Sequence, residues 1–183
     1  MNSGEKANVV PAVAVNAFTA GDVLSILVER GWLSGEATPD QRLWCERAAS
    51  MLGGHVENRD ALADLLGLVF HYDAQAILRT VECHVVLSRF AAREVLRQVA
   101  RMLLDGAPLT SERFSEIVDV LKGNLGLRLR ELFYPLRLAL AGRVGDGSLD
   151  RVILLLEESA ALNFAVPVKS ARVRILEFCS SLD

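Results

Sequence analysis

Helix caps and glycine stops recur along this chain at the spacing of short helices, and no stretch alternates apolar and polar residues with period two over a useful length. That combination restricts the fold to helices joined by short loops. Thr19 reads as an N-cap followed by Val23, Leu24, Leu27 and Val28 at helical spacing, and Gly31 closes this first helix. Thr38 before Pro39 places a capping residue ahead of a proline at the first helical position, and the helix that follows ends at Gly53-Gly54. A third helix runs from about Asn58 to Phe70, with Leu62, Leu65, Leu66 and Val69 on one face. Asp73 caps a fourth, which continues to about Leu104 in one piece or two.

Gly106-Ala107-Pro108 is the clearest internal boundary. Beyond it, Thr110 or Ser111 caps a fifth helix with Phe114, Ile117, Val118 and Leu121 inward, ended by the glycines at 123 and 126. A sixth segment runs from Leu127 to Ala141 and stops at Gly142, and Gly145-Asp146-Gly147 precedes a seventh helix carrying Val152 to Leu156. Pro167 separates a last short helix with Val173, Leu176 and Phe178. The expectation is an all-α chain of helical hairpins in two small subdomains: a lead-in over 1–18, a first subdomain over 19–104 and a second over 105–183. With 51% apolar residues among 183, a core is available to such a fold.

Three cysteines, Cys45, Cys83 and Cys179, form an odd set with no close pairing, which fits a reducing, cytoplasmic compartment. No apolar run approaches the roughly 20 residues that span a bilayer, so no membrane partner is expected. The apolar stretch Val9 to Val15 is short and broken by Pro11, unlike a signal peptide. No metal and no other cofactor are expected. Cys83 and His84 are neighbours whose side chains diverge by about 100° on a helix, and no zinc-type spacing surrounds them. Nothing marks an oxyanion hole for a Cys–His pair. Glu157-Glu158 reads as an exposed helix end rather than an acid–base pair, and Trp32 and Trp44 read as core.

The segment Leu132-Phe-Tyr-Pro-Leu-Arg-Leu-Ala-Leu-Ala-Gly142 resembles the proline-leucine-arginine block of the distal anticodon-binding subdomain of glutamyl-tRNA synthetases. Pro135, Leu136, Arg137, Ala139, Leu140 and Gly142 are in register with it, and Ala141 stands where that family has threonine. Downstream, Leu149 and the aliphatic run Val152 to Leu156 match, while Asp150 replaces a phenylalanine and Glu157-Glu158-Ser159 replaces Gly-Lys-Glu. Upstream, Arg59 and Leu62 resemble the family's arginine–leucine pair, three residues apart here where the family has four. The resemblance spans about residues 19–162. The family's catalytic half carries a His-x-Gly-His-type signature and a Lys-Met-Ser-Lys-type loop, and neither motif occurs here. The resemblance therefore implies a tRNA-binding module that performs no aminoacylation, a standalone paralogue or a piece of a longer synthetase. It implies tRNA as partner, with tRNA-Glu the first species to consider, and an enzyme that uses aminoacyl-tRNA as a second partner. The alternative is a protein-interaction or regulatory module that kept the fold and lost tRNA binding.

Two basic features supply candidate RNA-binding residues. Between Lys122 and Arg143, the cations Lys122, Arg128, Arg130, Arg137 and Arg143 face one carboxylate, Glu131, in a chain whose net charge is −3. Arg130, Tyr134 and Arg137 fall on one helical stripe, beside a core face of Leu129, Leu132, Phe133, Leu136 and Leu140. A phenol between guanidiniums suits single-stranded RNA, since the ring stacks on a base and the arginines hold phosphate. Arg137 equally suits a structural role holding adjacent helices. Pro135 within the stripe implies a kink or a helix restart. Arg89, Arg93, Arg97 and Arg101 recur every fourth residue, with phosphates on one reading and a solvated face, paired with acids such as Glu82 or Glu112, on the other. Arg59 completes the candidate set.

Overall fold

A computed structural model describes residues 16–89 and 91–182 of the chain. The lead-in and the Val9–Val15 stretch, up to residue 15, lie outside the described residues. Ten α-helices follow in order: α1 (Ala20–Glu29), α2 (Pro39–Leu52), α3 (Arg59–Phe70), α4 (Ala74–Leu78), α5 (Val81–Leu87), α6 (Ala92–Leu103), α7 (Ser111–Leu125), α8 (Leu129–Ala141), α9 (Ser148–Ala161) and α10 (Ala171–Ser180). A single 3-10 turn, Gly53–His55, extends α2. No strand occurs among the described residues, so the chain is all-α.

Local chemistry sets most helix ends. Thr19 and Thr38 each form a reciprocal capping box, with Asp22 and Gln41 respectively, and Pro39 opens α2. Asn58, Asp73, Thr80 and Thr110 accept from backbone N–H groups at the starts of α3, α4, α5 and α7. Gly126 and Gly142 end α7 and α8 at φ of 60° and 81°, a left-handed conformation that glycine adopts at little cost. α8 continues through Pro135, which is buried, rather than restarting there.

The helix expected from Asp73 to about Leu104 is three helices. Thr80 divides the first two: its hydroxyl donates to the Ile77 carbonyl at 2.7 Å and accepts from the Cys83 N–H at 3.2 Å. Such side-chain bonds compete with continuation of the helix. Ser88 closes α5 in the same way, donating to the Val85 carbonyl at 2.8 Å. Arg89 therefore lies in the turn before α6, off the helix that carries Arg93, Arg97 and Arg101.

α9 lies at the centre. Its buried Val152, Ile153, Leu155 and Leu156 meet α2 and α3 on one side and α8 on another. α10 packs on α6, α8 and α4. Helices from both sides of the Gly106–Pro108 loop thus share one core. Trp32 stacks on Phe70 with ring centroids 4.8 Å apart, and Trp44 and Phe164 close the cluster edge-to-face. The Ala165 N–H donates to the Trp32 carbonyl at 2.8 Å, and Gln41 donates through Nε2 to the Asn163 carbonyl at 3.0 Å. Trp32 Nε1 donates to His71 Nε2 at 3.0 Å.

Arg174 ties several helices together: it is fully enclosed and has no carboxylate ion-pair partner among the described residues. Its guanidinium donates to the carbonyls of Leu68 (2.9 Å) and Val69 (2.6 Å) in the last turn of α3, of Leu140 (3.0 Å) in the last turn of α8, and of Lys169 (3.0 Å). The first three are carbonyls that a helix end leaves without an intrahelical donor, and the fourth lies just before α10. Burial lowers the Arg174 pKa to about 10, so the group stays cationic at neutral pH. The Tyr72 ring lies 4.7 Å from the guanidinium, and its hydroxyl donates to the Ala139 carbonyl.

Of two details of the last helices, the second departs from the sequence reading. Val173 points outward, 41% exposed, while Arg174, Ile175 and Phe178 are inward. Glu157 and Glu158 are half-buried rather than an exposed end, and Glu158 pairs with Arg47 at 3.1 Å. Burial holds the Glu157 carboxyl above its ordinary value of 4.5, opposed by backbone N–H groups of Ala171 and Leu109.

Replacing Arg174 with Met should destabilise the fold by at least about 3 kcal/mol, since several buried carbonyls lose their donor at roughly 1–3 kcal/mol each. Urea denaturation measures this, and a loss under 1 kcal/mol would remove the residue's proposed importance. Glu157 titrates with the opposite sign to a paired acid. Its raised folded-state pKa means that its contribution is fully present below the unfolded value and is lost as pH rises through the folded one. Glu157→Gln should therefore gain stability over wild type as the pH is raised from about 4 to 7 in thermal melts.

Candidate nucleic-acid interface

At the start of α8 the chain leaves α7 through the left-handed Gly126, crosses Leu127 and Arg128, and enters α8 at Leu129. This turn faces the one before α6. Between them lies a groove of about 800 Å³ lined by Arg89, Lys122, Gly126, Leu127, Arg128, Leu129, Arg130 and Glu131. Cations from two distant stretches of sequence meet here: Arg89 from the α5–α6 turn, Lys122 from the last turn of α7, and Arg128 and Arg130 from the entry to α8. All four are exposed, and none pairs with a carboxylate among the described residues.

Glu131, the sole acid in the lining, does not neutralise them directly. Its carboxylate accepts the Arg128 backbone N–H at 2.9 Å and sits in the first turn of α8, where a negative charge is favoured by the helix dipole. The lining also has an apolar part. Leu129 is 59% exposed, so it belongs to the groove and not to the core face on which helical periodicity had placed it. Its position as the first residue of α8, ahead of the turn that packs, is the reason. Tyr134 is half-buried, with the Arg89 guanidinium 6.0 Å from its ring centroid, within the range of a weak cation–π contact. The result is a cationic rim around a partly apolar floor.

The other candidate residues lie elsewhere. Arg137 is withdrawn from the stripe it forms with Arg130 in sequence. It makes a bidentate pair with Asp150 of α9 at 2.7 and 2.8 Å and donates to the Gly145 carbonyl at 2.8 Å. Its guanidinium also lies 4.5 Å from the Phe133 ring centroid, and its side chain is 12% exposed. That geometry fixes the α8–α9 loop, and the partner is the residue that stands where the synthetases have phenylalanine. Arg143 is exposed beyond Gly142, about 20 Å along α8 from Arg130 at the usual rise per residue, and does not line the groove. Arg59 opens α3 and donates to Glu29 at 2.8 Å and Ser25 at 3.0 Å, holding α3 to α1. Arg93, Arg97 and Arg101 are exposed along α6. Neither Glu82 nor Glu112 forms an ion pair with them among the described residues. Also among the described residues, no three His, Cys, Asp or Glu side chains are grouped as metal ligands would be, and no helix is long and apolar enough to cross a membrane.

The sequence model of one family, described as an anticodon binding domain, matches residues 20–163. The match covers α1 to α9, including both sides of the groove. No curated protein and no solved structure matches the chain significantly.

Two substitutions separate structural from surface arginines. Arg137→Ala should cost on the order of 3 kcal/mol, because it strands the Asp150 carboxylate in a largely enclosed position. Arg130→Glu should leave the thermal midpoint within about a degree of wild type, since an exposed unpaired side chain contributes within about 0.5 kcal/mol. Parallel thermal melts decide both, and equal losses would contradict this division of roles.

Proposed function

We infer that this chain, which belongs to the anticodon-binding domain family, binds tRNA at the groove between the α5–α6 turn and the α7–α8 turn and performs no aminoacylation. The observation that carries the reading is the convergence of Arg89 with Lys122, Arg128 and Arg130, unpaired, around an apolar floor. Phosphate contacts supply most of the affinity for nucleic acid, and they need cations that acids of the same protein have not already taken. Leu127, Leu129 and Tyr134 offer surfaces to bases that are not paired. The proline-leucine-arginine block on α8 supports a likeness to the distal subdomain of glutamyl-tRNA synthetases, with tRNA-Glu as the species to try first. Within that reading the module serves an enzyme that uses aminoacyl-tRNA, in the cytoplasm, and the residues 20–163 matched by the anticodon-binding family are the part that holds the RNA.

A second reading has one observation in its favour. Arg137, the best-matched cation of the block, is spent on Asp150. A module that kept the fold while losing RNA contacts, and now serves protein interaction or regulation, would look like this at that position.

Titration of the chain with tRNA-Glu and with other tRNAs at about 50 and 200 mM salt separates the two readings. Four phosphate contacts to a single strand give a slope of log K against log salt of about −3, or roughly a 50-fold loss over that range. The variant Lys122→Gln, Arg128→Gln, Arg130→Gln should make the slope shallower by about 2 while keeping the helical circular dichroism. Binding no tighter than the roughly 1–100 µM range, and the same for every tRNA, is the level of non-specific contact and would favour the second reading.

A further inference from the structure

The groove does not account for the arginines of α6. Arg93, Arg97 and Arg101 are exposed at successive turns of one helix, and span about 12 Å along its axis. None of them has a carboxylate partner among the described residues. The one acid on α6, Glu94, is engaged elsewhere: it accepts from Gln98 Nε2 at 3.0 Å, and Gln98 in turn accepts from Asn124 on α7 at 3.4 Å. Like charges at this spacing repel, so the row is an arrangement that an anionic surface would relieve. Arg89, in the turn three residues before α6 begins, lines the groove. The row therefore starts where the groove ends.

We propose that Arg93, Arg97 and Arg101 form a second phosphate-binding surface, continuous with the groove through Arg89, that takes the sugar–phosphate backbone of a base-paired RNA stem adjoining the groove-bound loop. This rests on the tRNA-binding reading and adds the structural class of RNA met by α6. The two surfaces differ in chemistry. The groove has an exposed leucine, Leu129, among its cations, and the half-buried Tyr134 lies behind Arg89, an apolar surface of the kind unpaired bases use. α6 has no aromatic residue, and its outward face offers guanidiniums on a straight element. Such a face has little for an unpaired base to stack on. It suits a duplex, whose bases are hidden and whose phosphates are presented along its outside, and RNA duplexes are bound chiefly through backbone contacts and shape. An RNA bound at both surfaces must carry a loop and a stem.

The test compares two RNAs, a stem-loop corresponding to the anticodon arm and a single strand with the loop sequence alone, by fluorescence anisotropy across a salt series. The variant Arg93→Gln, Arg97→Gln, Arg101→Gln should bind the stem-loop with a slope shallower by about 2 to 3 than wild type, at roughly 0.9 per duplex phosphate contact. Its binding to the single strand should be unchanged. The variant with lysine at the same three positions should restore most of the stem-loop slope, which separates lost charge from a folding defect. A wild-type slope on the stem-loop in the glutamine variant would overturn the proposal and leave the row for an acidic protein partner. Equal loss on both RNAs would overturn it too, by placing the row along the single strand. Wild-type chain that binds neither RNA would remove the tRNA-binding reading itself, and this proposal with it. Wild-type binding with an unaffected glutamine variant removes this proposal alone.

Discussion

A buried cation with no anion to balance it has to be satisfied by dipoles, and Arg174 draws those dipoles from the ends of two helices. The last turns of α3 and α8 each carry the partial negative charge of unpaired carbonyls. A guanidinium, planar and with five donors, reaches both at once in a way that an ammonium group cannot. α3 comes from the first half of the chain, while α8 and the arginine come from the second. The two ends must therefore meet beside α10 for any of the three to be satisfied. This interlock fixes the C-terminal end of α8. Along α8 the rise per residue puts its N-terminal end, where Leu129 and Arg130 enter the groove, about 18 Å away.

The two arginines of α8 show how far a helical stripe can be read as function. Arg130 and Arg137 are seven residues apart and lie on one face, yet they have opposite roles. Arg137 meets Asp150 across the α8–α9 loop, and once bidentate it costs too much to release to a passing phosphate. Arg130 lies toward the open end of α8, where it forms no ion pair among the described residues. What separates them is the residue brought opposite by the next helix, and periodicity carries no information about that. Asp150 did carry a local signal, since a carboxylate replacing the family's phenylalanine beside an arginine block is a candidate ion pair.

The legible parts of the fold are those whose causes are local. Thr19, Thr38, Asn58, Asp73 and Thr110 could be recognised as caps because a capping side chain bonds the backbone two or three residues on. Gly126 and Gly142 were legible as stops for a similarly local reason. The breaks at Thr80 and Ser88 were harder, because both residues sit within an otherwise helical pattern and act by competing with it. Arg174 was invisible among exposed-looking cations of a short terminal helix, since two of its four partners lie more than 100 residues away in α3 and a third in α8. The groove was legible only in halves. Lys122 to Arg130 stood out as a basic run and Arg89 as part of another, but their meeting depends on α6 packing against α8.

That meeting also explains how an acidic chain can present a cationic surface. A net charge of −3 constrains the average and not the distribution. At physiological salt, fields fade over about 8 Å, so a ligand in the groove responds mainly to the cations and the single glutamate that line it. Three acids close in sequence to the basic residues have specific occupations. Glu131 holds a helix start, Asp150 holds Arg137, and Glu94 is tied to Gln98. Each acid is bound to a backbone group, a structural arginine or an amide. Among the described residues, the cations of the groove and of α6 form no ion pair with a carboxylate. A merely solvated face would not need its neighbouring carboxylates engaged in this way. The arrangement is the one expected where surface cations are kept available to an anionic ligand.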